Sequence, residues 1–308
     1  MGPTDERAFQ IIGLGLVDVD HLIRVPGPRR WGAIVEEYLM QSGGVAATAT
    51  VAAARLGATT AFCGRIGDDR MGRFILEEFQ EESVNTDYLF LAHDGKTPVS
   101  VVHVEMETGD KTVFFYPGEN LGSPVDMIPE GVISSARVLL IDGSWYEGAL
   151  RAAEIAKGSG TKIVAGMRVS RANLDLVRLV DALIVNEWIA RELAKDRGLE
   201  FALEGLAELG PEIVAITMGE RGCMFMMDGV PRRMPAFQVD VVDTTGAGDA
   251  FHGALAFALM RRWDLLRCFE FASAVAALNC TKLGGRSGLP TYEQAIEFLS
   301  ERGALEWV

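Results

Sequence analysis

The segment VDVVDTTGAGDAFHGALAFALMRR carries one acid, Asp249, directly behind the turn Gly246-Ala247-Gly248. Apolar residues then recur at helical spacing to about Met260, so the turn opens a helix. The N–H groups of Gly246, Ala247 and Gly248 would stand unpaired at the positive end of that helix, where phosphate oxygens bind and developing negative charge is stabilised. Asp249, in the first turn, is placed to take a proton from a hydroxyl attacking at the same point. An isolated Gly-x-Gly-Asp is more often a capped turn, so the chemistry needs other polar residues on the same rim.

The elements around it supply such a rim. The run FQIIGLGLVDVDHLIRV (Phe9 to Val25) reads as a buried strand with Asp18 and Asp20 at its C-terminal end. Gly43 and Gly44 precede an alanine-rich helix that ends at Gly57, and the strand-like TTAFCGRIG follows. From Arg137 onward short apolar strands alternate with helices, including ALIVN, which ends at Asn186, and EIVAITMG, which carries Thr217 and Gly219. Such strands suit a parallel sheet covered on both faces, with ligands beyond its C-terminal strand ends. That rule gathers Asp18, Asp20, Asn186, Thr217 and Gly219. Between about Thr97 and Tyr116 two β-branched runs joined by ETGD interrupt the alternation and read as an antiparallel hairpin. The expectation is one α/β domain over residues 1–308, with a small β lid built from about 21–42 and 94–119.

Composition narrows the function. A formal charge of −14 and a pI near 4.8, with no Lys/Arg cluster, argue against nucleic acid as partner. Cys63, Cys223, Cys268 and Cys280 are far apart and the histidines are scattered, so buried reduced thiols are expected rather than a metal cluster. No apolar stretch has membrane-span length and the start MGPTDERAF is charged, so a cytoplasmic protein without a membrane partner is expected.

The run Asp243 to Asp249 resembles the second signature of the PfkB/ribokinase family of carbohydrate kinases, and GGVAATATVAAARLGATTAFCGRIGDDRMG (Gly43 to Gly72) resembles the first. The resemblance covers almost the whole chain, to FASAVAALNCTKLGGRSGLP (Phe271 to Pro290). It implies a ribokinase-like α/β core with a β lid, and ATP-dependent phosphoryl transfer to a sugar hydroxyl. By resemblance, Asp249 is the base and Gly246, Ala247 and Gly248 form the anion hole. Asp18, Asp20, Gly43, Gly44, Thr48 and Asn120 bind the sugar. Asn186, Thr217, Gly219, Gly222, Thr244, Ala274 and Asn279 lie along the nucleotide, Ala274 to Gly285 forming an adenine wall. Carbonyls around Asp243, Thr245, Asn279, Lys282 and Gly284 resemble a potassium site, and Mg2+ enters with ATP. The chain departs from the family at Thr48, where Asn is usual, at Ile189, where NEWI lacks the last acid of Asn-x-x-Glu, and at Ala165, Gly166 and Met167, which replace an Asp-x-Asn.

Within the family the signature runs look closest to the sulfofructose kinase branch. A sulfonate wants cationic or strongly hydrogen-bonding residues, yet the matching positions are Ala33, Phe115 and Ser144. A neutral hexose or ketose is therefore favoured. Arg24, Arg29, Arg30, Lys96 and Lys111 are read as solvated lid charges, with capture of an anionic tail as the alternative. Phe115 and Trp31 keep open a nucleoside kinase, and the altered NEWI a non-catalytic sugar sensor. Exposed lid strand edges suggest a homodimer.

Overall fold

A computed structural model of the chain describes residues 9–26, 32, 34–105, 111–122 and 125–303. The strands, in chain order, are β1 (Ile11–Leu14), β2 (Asp18–Val25), β3 (Glu37–Gly43), β4 (Thr60–Gly67), β5 (Val84–Asn85), β6 (Leu89–Ala92), β7 (Val99–Glu105), β8 (Lys111–Tyr116), β9 (Val138–Ile141), β10 (Lys162–Gly166), β11 (Ala182–Asn186), β12 (Ile213–Thr217), β13 (Cys223–Met227) and β14 (Val230–Met234). The main sheet has the order β14-β13-β12-β11-β10-β9-β1-β4-β5, with β6 also on β4. Pairing is parallel from β12 to β5 and antiparallel only at the β13 and β14 edge. Short strands rich in Ile, Val and Leu can take this central position because helices cover both faces.

The period of two along each strand divides the core. Ile11, Leu140, Val164 and Ile184 face one apolar cluster, filled by the helices Val45–Arg55, Ala247–Met260 and Leu265–Asn279. Ile12, Leu139, Ile163 and Leu183 face the other, filled by Tyr146–Ser159 and Leu199–Ala207. Each such side chain contributes about 1.5–3 kcal/mol on burial, so the rim residues stand on a rigid platform. The first two of these helices touch backbone to backbone: a Cβ at Gly253 would lie 2.2 Å from the Ala49 carbonyl oxygen. That contact fixes the Gly43-Gly44 turn against the turn that bears Asp249.

One expectation needs correction. The run Phe9 to Val25 is two strands, because the chain leaves the main sheet after Leu14. Asp142, half-buried just past the end of β9, accepts a hydrogen bond from Leu16 N at 3.1 Å and occupies the space a side chain at Gly15 would need, 2.2 Å from its Cβ position. Asp18 and Asp20 therefore begin strand β2 of a second sheet rather than ending β1, while staying beyond its C-terminal end. That sheet has the order β3-β2-β7-β8, with β2 parallel to β7 and both outer pairs antiparallel. Its strands span Asp18–Val25, Glu37–Gly43, Val99–Glu105 and Lys111–Tyr116, close to the expected lid. The hairpin is present as β7 and β8; its ETGD turn, like Arg29, Arg30, Trp31 and Ala33, lies outside the described residues. Among the described residues no helix is long and apolar enough to cross a membrane.

Candidate active site

Gly246 precedes the helix Ala247–Met260 with φ 71° and ψ 0°, a left-handed conformation that glycine adopts without strain. No side chain caps this helix end; of the three N–H groups expected to stand unpaired, that of Ala247 donates to the Thr244 carbonyl at 3.3 Å. A Cβ at Gly248 would meet no protein atom within 4 Å, which leaves room for a ligand against the helix end. Asp249 follows in the first turn and is only partly accessible. Burial, the largest influence, pushes its carboxyl up to about 7; Lys111 and Arg286 oppose the rise, while Asp142 and Asp18 add to it.

The sugar-binding residues expected from the sequence gather at the base of the second sheet. Asp18 is buried, accepts a 2.5 Å hydrogen bond from Ser100 Oγ and leaves Oδ1 without a partner. Both acids point at Gly43, whose Cβ would lie 2.3 Å from Asp20 Oδ2 and 2.7 Å from Asp18 Oδ1. Burial raises both carboxyls; for Asp20 the neighbouring Asp18 charge adds to it and the value reaches about 7, with Arg286 pulling it down. The Asp249 charge also reaches Asp20. Carboxyls pushed toward the neutral form can donate as well as accept hydrogen bonds, which suits a polyol. Gly44 turns the chain at φ 97°, with the Leu16 carbonyl oxygen 2.3 Å from its Cβ position.

Two of the positions expected to bind the sugar already have protein partners. The Thr48 hydroxyl is buried and accepts from Arg286 Nε at 3.3 Å. The Asn120 amide donates to the Asp94 carbonyl at 3.3 Å, tying the foot of the lid and making no recorded contact with the aspartates. Lys111, expected as a solvated charge, is exposed but carries its field onto Asp249 and Cys280. Arg24 pairs with Glu37 at 2.7 Å and Lys96 with Glu119 at 2.8 Å, as surface charges do.

Among the residues expected along the nucleotide, Asn186 caps the helix Glu187–Ala194 by accepting from Ile189 N at 2.9 Å. Glu187 is held by Arg191 and Arg221, the second on the TMGERG loop, so NEWI is spent on joining two strand ends. Asn186 and Thr217 are in register on β11 and β12. Gly219 lies open, whereas Gly222 is wedged under Met234, whose carbonyl oxygen is 2.0 Å from its Cβ position. Thr244 is exposed, whereas Ala274, expected along the nucleotide, is sealed in the core. The replaced Asp-x-Asn has a physical partner: the His252 ring fills the place of a Gly166 side chain, Cε1 lying 2.3 Å from its Cβ position, and burial lowers this histidine to about 4.

The loop behind the Gly246-Ala247-Gly248 turn is tied by Asp243, which accepts from Thr245 N at 2.9 Å, Thr245 Oγ1 at 2.8 Å and Gly284 N at 2.9 Å. Asn279 Nδ2 donates to the Thr245 carbonyl at 3.1 Å, and its Oδ1 is buried with no hydrogen-bond partner. Lys282 is exposed beside it. All four cysteines are free, buried and pushed up to about 11 or 12, which leaves them unreactive. Sequence reading missed Asp142, Ser100 and Arg286. Asp142 ends the strand in ARVLLIDG as an acid on the ligand rim, and Arg286 is a lone cation in the glycine-rich LGGRSGLP, so both left a signal. Ser100 left none beyond its place in a β-branched run.

Comparison with known proteins agrees with this arrangement. A family model described as pfkB family carbohydrate kinase matches residues 15–292. The ribokinase of Haemophilus influenzae is 31% identical over 297 residues, covering 93% of this chain and 97% of its own. A chain of Agrobacterium tumefaciens assigned as a ribokinase superposes with a TM-score of 0.85 at 26% identity, over 96% of this chain and 98% of that one. An Escherichia coli chain assigned as ribokinase II, in complex with ATP and Mg2+, has the same fold, with a TM-score of 0.82 at 20% identity over 95% and 99% of the two chains. The fold is thus ribokinase-like, the activity is that of an ATP-dependent sugar kinase, and the chain belongs to the pfkB family of carbohydrate kinases.

Proposed function

We propose that Asp249 is the general base that takes the proton of a primary sugar hydroxyl as the hydroxyl attacks the γ-phosphoryl of ATP. The observation that carries this reading is one carboxylate at an uncapped helix start, within the field of the Asp18 and Asp20 pair. Gly246, Ala247 and Gly248 offer their N–H groups to the transferring phosphoryl, Asp18, Asp20 and the Gly43-Gly44 turn orient the sugar, and Asn186, Thr217, Gly219 and Thr244 lie along ATP. The four-stranded sheet acts as a lid of a single domain and excludes water, the competing nucleophile. Mg2+ arriving with ATP offsets the phosphate charge. Phosphate and water oxygens would supply its ligands, since Glu187 is already committed to Arg191 and Arg221. A monovalent cation such as K+ fits behind the anion hole, where the orphaned Asn279 Oδ1 and neighbouring carbonyls supply the hard oxygen donors it needs.

The acceptor is a neutral hexose or ketose. Asp18, Asp20, Asp142 and Asp249 outnumber the cations Arg286 and Lys111 around the cleft, and Arg24 and Lys96 are spent on Glu37 and Glu119. A second reading, a nucleoside acceptor, rests on Phe115, half-exposed and in the cross-strand row Gln41, Asp20, Ser100, Phe115. ADP release is expected with D-fructose or D-glucose, and at least about tenfold less with phosphorylated or sulfonated sugars and with adenosine. Adenosine as best acceptor would replace the sugar reading; no ADP with any acceptor would leave a sensor.

The assembly expected is a cytoplasmic homodimer. Strand β8 is an edge strand whose six residues are all exposed, Val113, Phe114, Phe115 and Tyr116 among them, and a second lid would cover it. Sedimentation at micromolar concentration should give twice the mass of the chain, and Phe114→Lys should halve it.

A further inference from the structure

Arg286 is buried, 4% exposed, between the two ends of the active site. On the sugar side its guanidinium donates to Ser42 Oγ, to Thr48 Oγ1 at 3.3 Å and to the Gly43 carbonyl at 3.4 Å. Glu78 lies 3.8 Å from it and accepts from Ser42 N, and the Phe79 ring packs under the guanidinium at 5.3 Å. On the anion-hole side the same residue is joined through Gly285 to Gly284. Gly284 N is held by Asp243, and Gly285 lies so close to Gly246 that a Cβ there would be 2.5 Å away. The Arg286 carbonyl is itself gripped by Arg55 Nη1 at 2.8 Å, and Arg55 is locked to Glu82. A forked, permanently charged group suits such a multiple grip in a way a lysine does not.

We propose that Arg286 is a positioning residue for phosphoryl transfer: it clamps the sugar-binding segment Ser42 to Thr48 onto the glycine turn behind the anion hole. Sugar and base are thereby held at one separation, and the reacting hydroxyl is presented to Asp249 without a search. Thr48, where relatives usually carry Asn, serves as an acceptor for this clamp instead of touching the sugar. Ser42 and Gly43 need only their hydroxyl and carbonyl for the same purpose. Because the guanidinium also faces Asp18, Asp20 and Asp249, with Glu78 and Glu82 behind it, the clamp keeps one positive charge beside the sugar carboxylates.

The inference rests on Asp249 and the Asp18 and Asp20 pair being the reaction site, and Arg286→Lys and Arg286→Met test it separately from that reading. With D-fructose or D-glucose, whichever is the better acceptor, Arg286→Lys keeps the charge and loses the fork. Its KM for sugar is expected to rise about tenfold, with the KM for ATP within about twofold of wild type. Arg286→Met loses both. In 13C-aspartate-labelled protein without substrate, the titration of the Asp18 and Asp20 pair should move up by about one pH unit or more in Arg286→Met and stay in place in Arg286→Lys. A folded lysine variant with wild-type KM values, or one in which both KM values rise together, overturns the clamp. So does a folded methionine variant with an unmoved titration; if the methionine variant does not fold, the lysine kinetics decide. Full turnover in Asp249→Asn would instead overturn the underlying site.

Discussion

Replacing Asp249 with asparagine is expected to cut turnover by at least about a hundredfold while leaving sugar binding largely intact. The amide keeps the size of the carboxyl and the glycine turn, so the phosphoryl is still held, but nothing takes the proton from the attacking hydroxyl. The wild-type pH profile follows from the same group. Asp249 is pushed up to about 7, and the base works only when ionised, so kcat/KM should rise through about pH 7 and level off above it. The stability sign is opposite. A carboxyl whose folded pKa is raised above its unfolded value of about 4 stabilises the fold while protonated, and that contribution is lost as pH rises through 7. Asp249→Asn should therefore melt higher than wild type above about pH 8, and the gap should close below about pH 4. Wild-type turnover in this variant would remove Asp249 from the base role; a lower Tm at high pH would show that the carboxylate is stabilised where burial argues against it.

How much of this could be read in advance differs by kind of information. The alternation of β-branched runs with helical spacing made the α/β core legible, because the period of two on β1, β9 and β10 and the helices on either face obey local rules. The proposed base and its glycine turn could be located for a similar reason: DTTGAGD is contiguous, and the turn opens one helix with Asp249 in its first turn. The break of the first apolar run into β1 and β2 was not, since it depends on Asp142, more than a hundred residues away, taking the space beside Gly15. Arg286 was hidden in the same way, its partners Ser42, Thr48 and Glu78 being over two hundred residues upstream. The departures from the family pattern became explicable only in pairs, His252 with Gly166 and Thr48 with Arg286.

Gly246→Ala should be the most damaging single methyl group in the chain's chemistry. At φ 71° an L-residue costs about 1–2 kcal/mol, and the new Cβ would stand 2.5 Å from Gly285 Cα and 2.6 Å from its carbonyl oxygen. Neither obstacle is the tip of a flexible side chain. Gly285 lies between Gly284, tied to Asp243, and Arg286, clamped to the sugar turn, so relief must come from moving the N–H groups of the helix start. Stability should fall by at least about 2 kcal/mol, about 3 °C in Tm, and turnover by about a hundredfold, the usual cost of misplacing an oxyanion donor. Gly248→Ala separates the two effects. Its Cβ meets no protein atom within 4 Å and its backbone is already helical, so Tm should hold or rise slightly. If that face holds the phosphates, the methyl group takes ligand space, and the KM for ATP should rise at least about tenfold without loss of stability. An active, ATP-competent Gly248→Ala would move the phosphates off this helix end, and a stable Gly246→Ala with full turnover would show that the loop carrying Arg286 yields freely.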